Sequence, residues 1–179
     1  MKFKSTKSST IMNNSNLPSP LIAALLIIAR NEIGIKEIPP GSNRGPRVEE
    51  YLKSVHLDPG FAWCAAFVYW CYKKACLGLN LANPLLATGS CLNHWNKTTG
   101  MRITSDEVAL NPDLIEPGDI FIISRNAWQG HTGIVIAIDG AYIKTIEGNA
   151  NSFHSAEGDG VVELKRRIDS INVGFIRYS

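Results

Sequence analysis

Apolar and polar positions divide the chain into two stretches of different character. Leu21 to Ala29 is an unbroken apolar run, preceded by Pro18, Ser19 and Pro20. Ser19 as N-cap and Pro20 at the first helical position predict a helix through Ile33 that stops at Gly34. The run is shorter than the roughly 20 residues that span a bilayer, so no stable membrane insertion is expected. Pro39, Pro40, Gly41, Ser42, Asn43, Gly45 and Pro46 mark a loop. A short helix over Val48 to Val55 follows. Between Trp63 and Ala75, the residues Phe67, Trp70, Cys71 and Lys74 recur at three- and four-residue steps without Gly or Pro, which predicts a stronger helix. Asn83 to Gly100 reads as loop and helix.

The pattern changes after Pro117-Gly118. Asp119 to Ser124, Thr132 to Ile138, Tyr142 to Ile146, Val161 to Lys165 and Val173 to Tyr178 are short β-branched or aromatic runs punctuated by Gly, Asp and Asn. Helices first and adjacent strands after predict an α+β fold with an antiparallel sheet of about five to six strands.

Composition adds limits. At 179 residues the chain is one domain, or one domain with a tail. Residues 1–17, rich in Ser, Thr, Asn and Lys and without period, read as a disordered leader, and 18–179 as the domain. A basic start before an apolar run resembles a signal peptide. The leader's length, the two prolines and the lack of a small-x-small site after Ala29 favour the core helix instead. The net charge is +2, and Lys2, Lys4 and Lys7 carry +3 of it, leaving −1 for the rest. A near-neutral domain is not built for nucleic acid.

Candidate chemistry comes next. The spacing of Cys64, Cys71, Cys76 and Cys91 matches no zinc pattern, and Cys71, Cys76 and Cys91 read as small buried hydrophobes. Cys64 falls at the first turn of the strong helix, where partial positive charge and unpaired N–H groups favour a thiolate. His131 stands between Gly130 and Gly133 at the start of a strand, and those glycines leave room beside it. Glu147 and Asn149 end the next strand. A thiol needs a base, and the base needs an acceptor to hold its tautomer. Cys64, His131 and a group at 147 or 149 supply those parts.

Three segments carry a specific resemblance: Trp63-Cys64-Ala65-Ala66-Phe67-Val68, Gly130-His131-Thr132-Gly133-Ile134-Val135 and Ile146-Glu147-Gly148-Asn149. They resemble the signature blocks of the CHAP family, the cysteine, histidine-dependent amidohydrolases/peptidases. Pro117-Gly118-Asp119-Ile120, Gly41 to Pro46 and Glu157 to Val161 resemble further blocks of that family. The likeness covers roughly residues 22 to 178. It implies a papain-like α+β fold and cysteine-dependent hydrolysis of an amide bond in bacterial peptidoglycan. By this resemblance Cys64 is the nucleophile, His131 the general base, Glu147 the group that orients the imidazole, and Asn149 a fourth member; the roles of Glu147 and Asn149 are interchangeable, since some members use one and some the other. The Cys64 N–H is the expected oxyanion donor.

No cofactor and no metal are expected. The implied partner is a wall peptide or muropeptide, acted on by a monomer in a secreted, periplasmic or lysis-released setting. An inactive wall-binding module and an acyl transferase are the alternative functions. Trp63, Trp128 and Asn43 are candidate substrate contacts, with a buried aromatic as the alternative reading for each tryptophan. His56, His94 and His154 read as surface or loop histidines, and Lys165-Arg166-Arg167 as a solvated strand end.

Strand register decides whether the site can form. An unbulged two-residue turn at Asp139-Gly140 would put His131 and Glu147 on opposite faces of the sheet. A three-residue loop of Ile138, Asp139 and Gly140, or another device that shifts the register by one, puts them on one face. The small-sided face of His131, Gly133, Val135 and Ala137 is expected to meet the Cys64 helix.

Overall fold

A computed structural model describes residues 18–151 and 158–178. The leader 1–17, His154 and Glu157 lie outside the described residues. Helix α1 spans Pro20–Asn31, with Ser19 Oγ accepting from the Ile22 N–H at 3.3 Å and Pro20 in the first turn. It ends two residues before Ile33, and Gly34 follows with φ 95°. Helices α2 (Pro46–Ser54), α3 (Cys64–Gly78) and α4 (Cys91–Lys97) come next. A short strand β1 (Met101–Thr104) and helix α5 (Ser105–Leu110) precede the main strands. The sequence pattern had not suggested either. Thr104 and Glu107 form a reciprocal capping box at α5, a readable signal in retrospect.

Strands β2 (Ile120–Ser124), β3 (Gly130–Asp139), β4 (Tyr142–Ala150), β5 (Gly160–Arg167) and β6 (Gly174–Arg177) complete a six-stranded antiparallel sheet. Its order is β1-β6-β2-β3-β4-β5. The helices-first, sheet-second order is the expected papain-like α+β architecture.

Each face of the sheet carries its own core. Ile120, Ile122, Ile134, Ile136, Ile146 and Ile176 pack against α1 and α3. Phe121, Val135, Ile143 and Phe175 pack against Ile103, Val108, Ile115 and Ile171 on the other face. Each fully buried side chain of this size contributes about 1.5–3 kcal/mol. The helix carrying Cys64 therefore packs on the isoleucine face, not on the small-sided face that had been expected. Its close approach is at Gly148, where a Cβ would lie 2.6 Å from Phe67 Cβ and 2.7 Å from the Trp63 ring.

The turn between β3 and β4 also differs in detail from expectation. Asp139 pairs with Tyr142, leaving a two-residue turn of Gly140 and Ala141, with Gly140 at φ 58°. The pairing passes from Ala137↔Lys144 to Val135↔Thr145, so Ile136 is an extra residue in β3. This bulge supplies the one-residue register shift that a longer loop would have supplied.

Candidate active site

Cys64 is the first residue of α3, and Trp63 before it makes no side-chain capping bond. The N–H groups of the first turn have no intrahelical acceptors, and their dipoles favour negative charge at the sulfur. His131 lies near the start of β3. Pairing of β3 with β4 runs from Asp139↔Tyr142 only to Ile134↔Ile146. Ahead of that pair the Thr132 N–H turns to Cys64, and the Ala65 N–H reaches the same sulfur.

The His131 Nε2 lies 2.7 Å from Glu147 Oε2. That contact leaves Nδ1 as the ring nitrogen open to Cys64, with which His131 is hydrogen-bonded. Burial opposes ionisation of the Cys64 thiol. The hydrogen bond and charge of His131, with the Ala65 and Thr132 N–H groups, outweigh it and hold the thiol below its ordinary value. Burial likewise disfavours the His131 imidazolium, yet hydrogen bonds to Cys64 and Glu147 raise it to about 9. The lowered thiol and the raised imidazole both favour transfer of the Cys64 proton to His131, toward the thiolate–imidazolium pair that a nucleophilic cysteine uses.

Glu147 is fully buried and satisfied on every side. Thr145 Oγ1 donates to Oε1 at 2.5 Å, and Arg166 donates through Nε to Oε1 at 2.5 Å and through Nη2 to Oε2 at 2.6 Å. Burial would raise the carboxyl, but Arg166 and His131 bring it down to about 2. Gly133 makes room for this arrangement, because a Cβ there would lie 2.7 Å from Glu147 Cγ. The Arg166 side chain is 11% exposed, with its guanidinium 5.4 Å from the Phe121 ring centroid. Reading 165–167 as a solvated strand end is thus corrected for Arg166. Lys165 and Arg167 do face outward, to Asp139 and Asp169. The missed signal was alternation, since Val162, Leu164 and Arg166 share one face of β5.

A cleft of about 230 Å³ opens over the pair, lined among others by Cys64, His131, Asn149, Asn43, Trp128 and Cys91. Asn149 sits beside an irregularity in the β4–β5 pairing with φ 55°, a conformation Asn tolerates. Its buried Oδ1 has no hydrogen-bond partner among the described residues. Asn43 is held at the rim by its N–H bond to Glu37 Oε2 at 2.9 Å. Trp128, 89% exposed, stands at the mouth on a loop pinned by Asn126, whose Oδ1 accepts from the Trp128 and Gln129 N–H groups.

Two further readings are corrected. Trp63 does not reach the cleft. It is fully buried, stacks on Tyr51 and donates its indole N–H to Glu37 Oε1 at 2.8 Å. Nor is His94 a surface histidine. It is buried with Nε2 2.8 Å from the Tyr178 hydroxyl, and burial pushes it down to about 4. All four cysteines are buried and unbridged. Cys91 also lines the cleft, and burial, with the charge of Cys64, pushes its thiol up to about 12. Among the described residues no group of three or more His, Cys, Asp or Glu side chains is placed to hold a metal, and no helix is long and apolar enough to cross a membrane.

Comparison with known proteins places this geometry. No curated protein matches the chain. Among solved structures, the peptidoglycan hydrolase RipB from Mycobacterium tuberculosis is similar with a TM-score of 0.50 at 15% identity, over 96% of this chain and 73% of that one. The structure titled Ly7917 is similar with a TM-score of 0.47 at 17% identity, over 86% of this chain. This chain spans 60% of the length of Ly7917. The family model for the CHAP domain matches residues 56–149, more than half of the chain, and that match takes in Cys64, His131, Glu147 and Asn149. The chain belongs to the CHAP domain family.

Proposed function

We propose that this protein hydrolyses an amide bond of bacterial peptidoglycan through an acyl-enzyme on Cys64. One observation carries the reading: a buried thiol at a helix N-terminus is hydrogen-bonded to an imidazole backed by a carboxylate, at the floor of an open cleft. Family membership, and a fold shared with a protein titled a peptidoglycan hydrolase, support wall peptide as the substrate class.

The Cys64 thiolate attacks the carbonyl carbon, and the Cys64 N–H, at the first position of α3, receives the developing oxyanion. The His131 imidazolium gives its proton to the leaving nitrogen. The C–N bond breaks and a thioester remains. A water, deprotonated by His131, then attacks the thioester, releasing a carboxylic acid and restoring the thiolate. Glu147 holds the imidazole ring in position, as the acceptor does in other triads. Asn149 supports the site from the cleft wall. Trp128 and Asn43 contact substrate at the rim.

Mass spectrometry of muropeptides after digestion with the purified protein tests this reading. New amine and carboxyl ends at one bond type are expected, and none with Cys64→Ala. Unchanged muropeptides with the wild-type protein would refute it.

A further inference from the structure

Cys64 and His131, as thiolate and imidazolium, together carry no net charge. A bare Glu147 carboxylate behind them would leave the buried site negative. It would also hold the imidazolium between two anions, where its proton is harder to hand to a leaving amine. Arg166 changes that balance. Its guanidinium meets both carboxylate oxygens of Glu147, at 2.5 and 2.6 Å, from the strand beyond the one that carries Glu147.

We infer that Arg166 is a positioning residue that neutralises Glu147, so that His131 is oriented by a charge-compensated carboxylate instead of a free anion. This rests on the proposed function only in taking His131 as the base of Cys64. Among the described residues, the groups around the pair come from several elements. Thr145 on β4 donates to Oε1, and the Phe121 ring of β2 lies against both Arg166 and His131. From the cleft side come Cys64 on α3, Cys91 on α4 and Arg125 in the β2–β3 loop. Arg166 meets Glu147 with a fixed positive charge at both carboxylate oxygens. Removing a fixed positive charge raises the proton affinity of every neighbouring group, so loss of Arg166 moves the titrations of both Cys64 and His131 upward.

The test uses the full chain and no wall substrate. Alkylation of Cys64 by iodoacetate, followed by mass-mapped peptides, is measured against pH. This anion needs the thiolate and is drawn by the imidazolium, so the rate follows a bell with limbs set by Cys64 and His131. In Arg166→Met the bell moves upward by about one pH unit, a tenfold rate change at a fixed pH on either limb. Arg166→Lys keeps the charge and stays within a few tenths of a unit of wild type. Glu147→Gln alone leaves Arg166 uncompensated and moves the bell downward. Glu147→Gln with Arg166→Met removes the pair together, avoids an unpaired buried charge, and returns the bell toward wild type.

A folded Arg166→Met protein with an unshifted bell overturns the inference. So does a double variant displaced as far as Glu147→Gln, and that comparison decides the matter if Arg166→Met does not fold. Failure to digest peptidoglycan would refute the substrate reading while leaving these bells to be read.

Discussion

The 2.7 Å contact between His131 Nε2 and Glu147 Oε2 runs diagonally across two strands. Their register, Ile134↔Ile146 and Val135↔Thr145, continues to place Glu147 opposite Gly133 and not opposite His131. Both side chains share a face because the Ile136 bulge shifts the register set by the two-residue turn by one. The glycine between them leaves the space through which the carboxylate reaches the ring.

Gly133→Ala is therefore expected to break the contact without unfolding the protein. The new Cβ would meet Glu147 Cγ at 2.7 Å, Phe121 Cε1 at 2.8 Å and Ile146 O at 2.9 Å. Overpacking of this kind costs about 1–3 kcal/mol. Hydrolysis should fall at least about tenfold, the size of a 1.4 kcal/mol loss at the reacting centre. Wild-type turnover in a folded Gly133→Ala protein would show that Glu147 is dispensable to His131.

The thiolate–imidazolium pair sets the pH range of activity. As pH rises through about 9, His131 loses the proton it would give to the leaving amine, and the rate should fall. As pH drops below the lowered value of Cys64, the thiolate is protonated and the rate falls again. At neutral pH Cys64 should be alkylated faster than Cys71, Cys76 or Cys91, whose thiols burial pushes upward. Equal labelling of the four, or a pH profile rising steadily past 10, would contradict the pair.

The two tryptophans beside the signature blocks should separate cleanly. Trp63→Ala removes a buried ring and leaves Glu37 Oε1 without its indole donor, so a loss of about 3–5 kcal/mol is expected. Trp128→Ala alters an exposed ring and should change stability by no more than about 0.5 kcal/mol. Its effect should be a higher KM with kcat nearly unchanged. Thermal melting and steady-state kinetics on the same two variants decide the point, and an unchanged KM would remove Trp128 from the substrate's path.

Asn149 occupies a left-handed conformation that glycine accepts freely, so Asn149→Gly deletes the carboxamide with little backbone strain. The melting temperature should hold within a few degrees while kcat/KM falls about tenfold or more, the size of a lost polar contact to substrate or base. If kcat/KM is retained, the unpaired Oδ1 has no part in turnover.

Local chemistry made several elements readable from the chain alone. The apolar run after Ser19-Pro20 reads as a helix, the stretch from Trp63 as a second one, and the β-branched runs after Pro117-Gly118 as a sheet. The short CHAP-like blocks around Cys64, His131, Glu147 and Asn149 marked the candidate site residues, because each block is only a few positions long. What lay beyond reach was set by distant segments. Trp63 flanks the nucleophile in sequence, yet its indole turns to Glu37, 26 residues earlier. His94 is buried because Tyr178, 84 residues later, closes over it. The small-sided face of β3 did not receive α3, since the larger apolar area of the isoleucine face packs the helices better. Arg166 alternates inward with Val162 and Leu164, a pattern visible in the chain, but a guanidinium at an inward position is stable only where a carboxylate awaits it. The β4–β5 pairing brings the two together, and no local feature of either strand states that register.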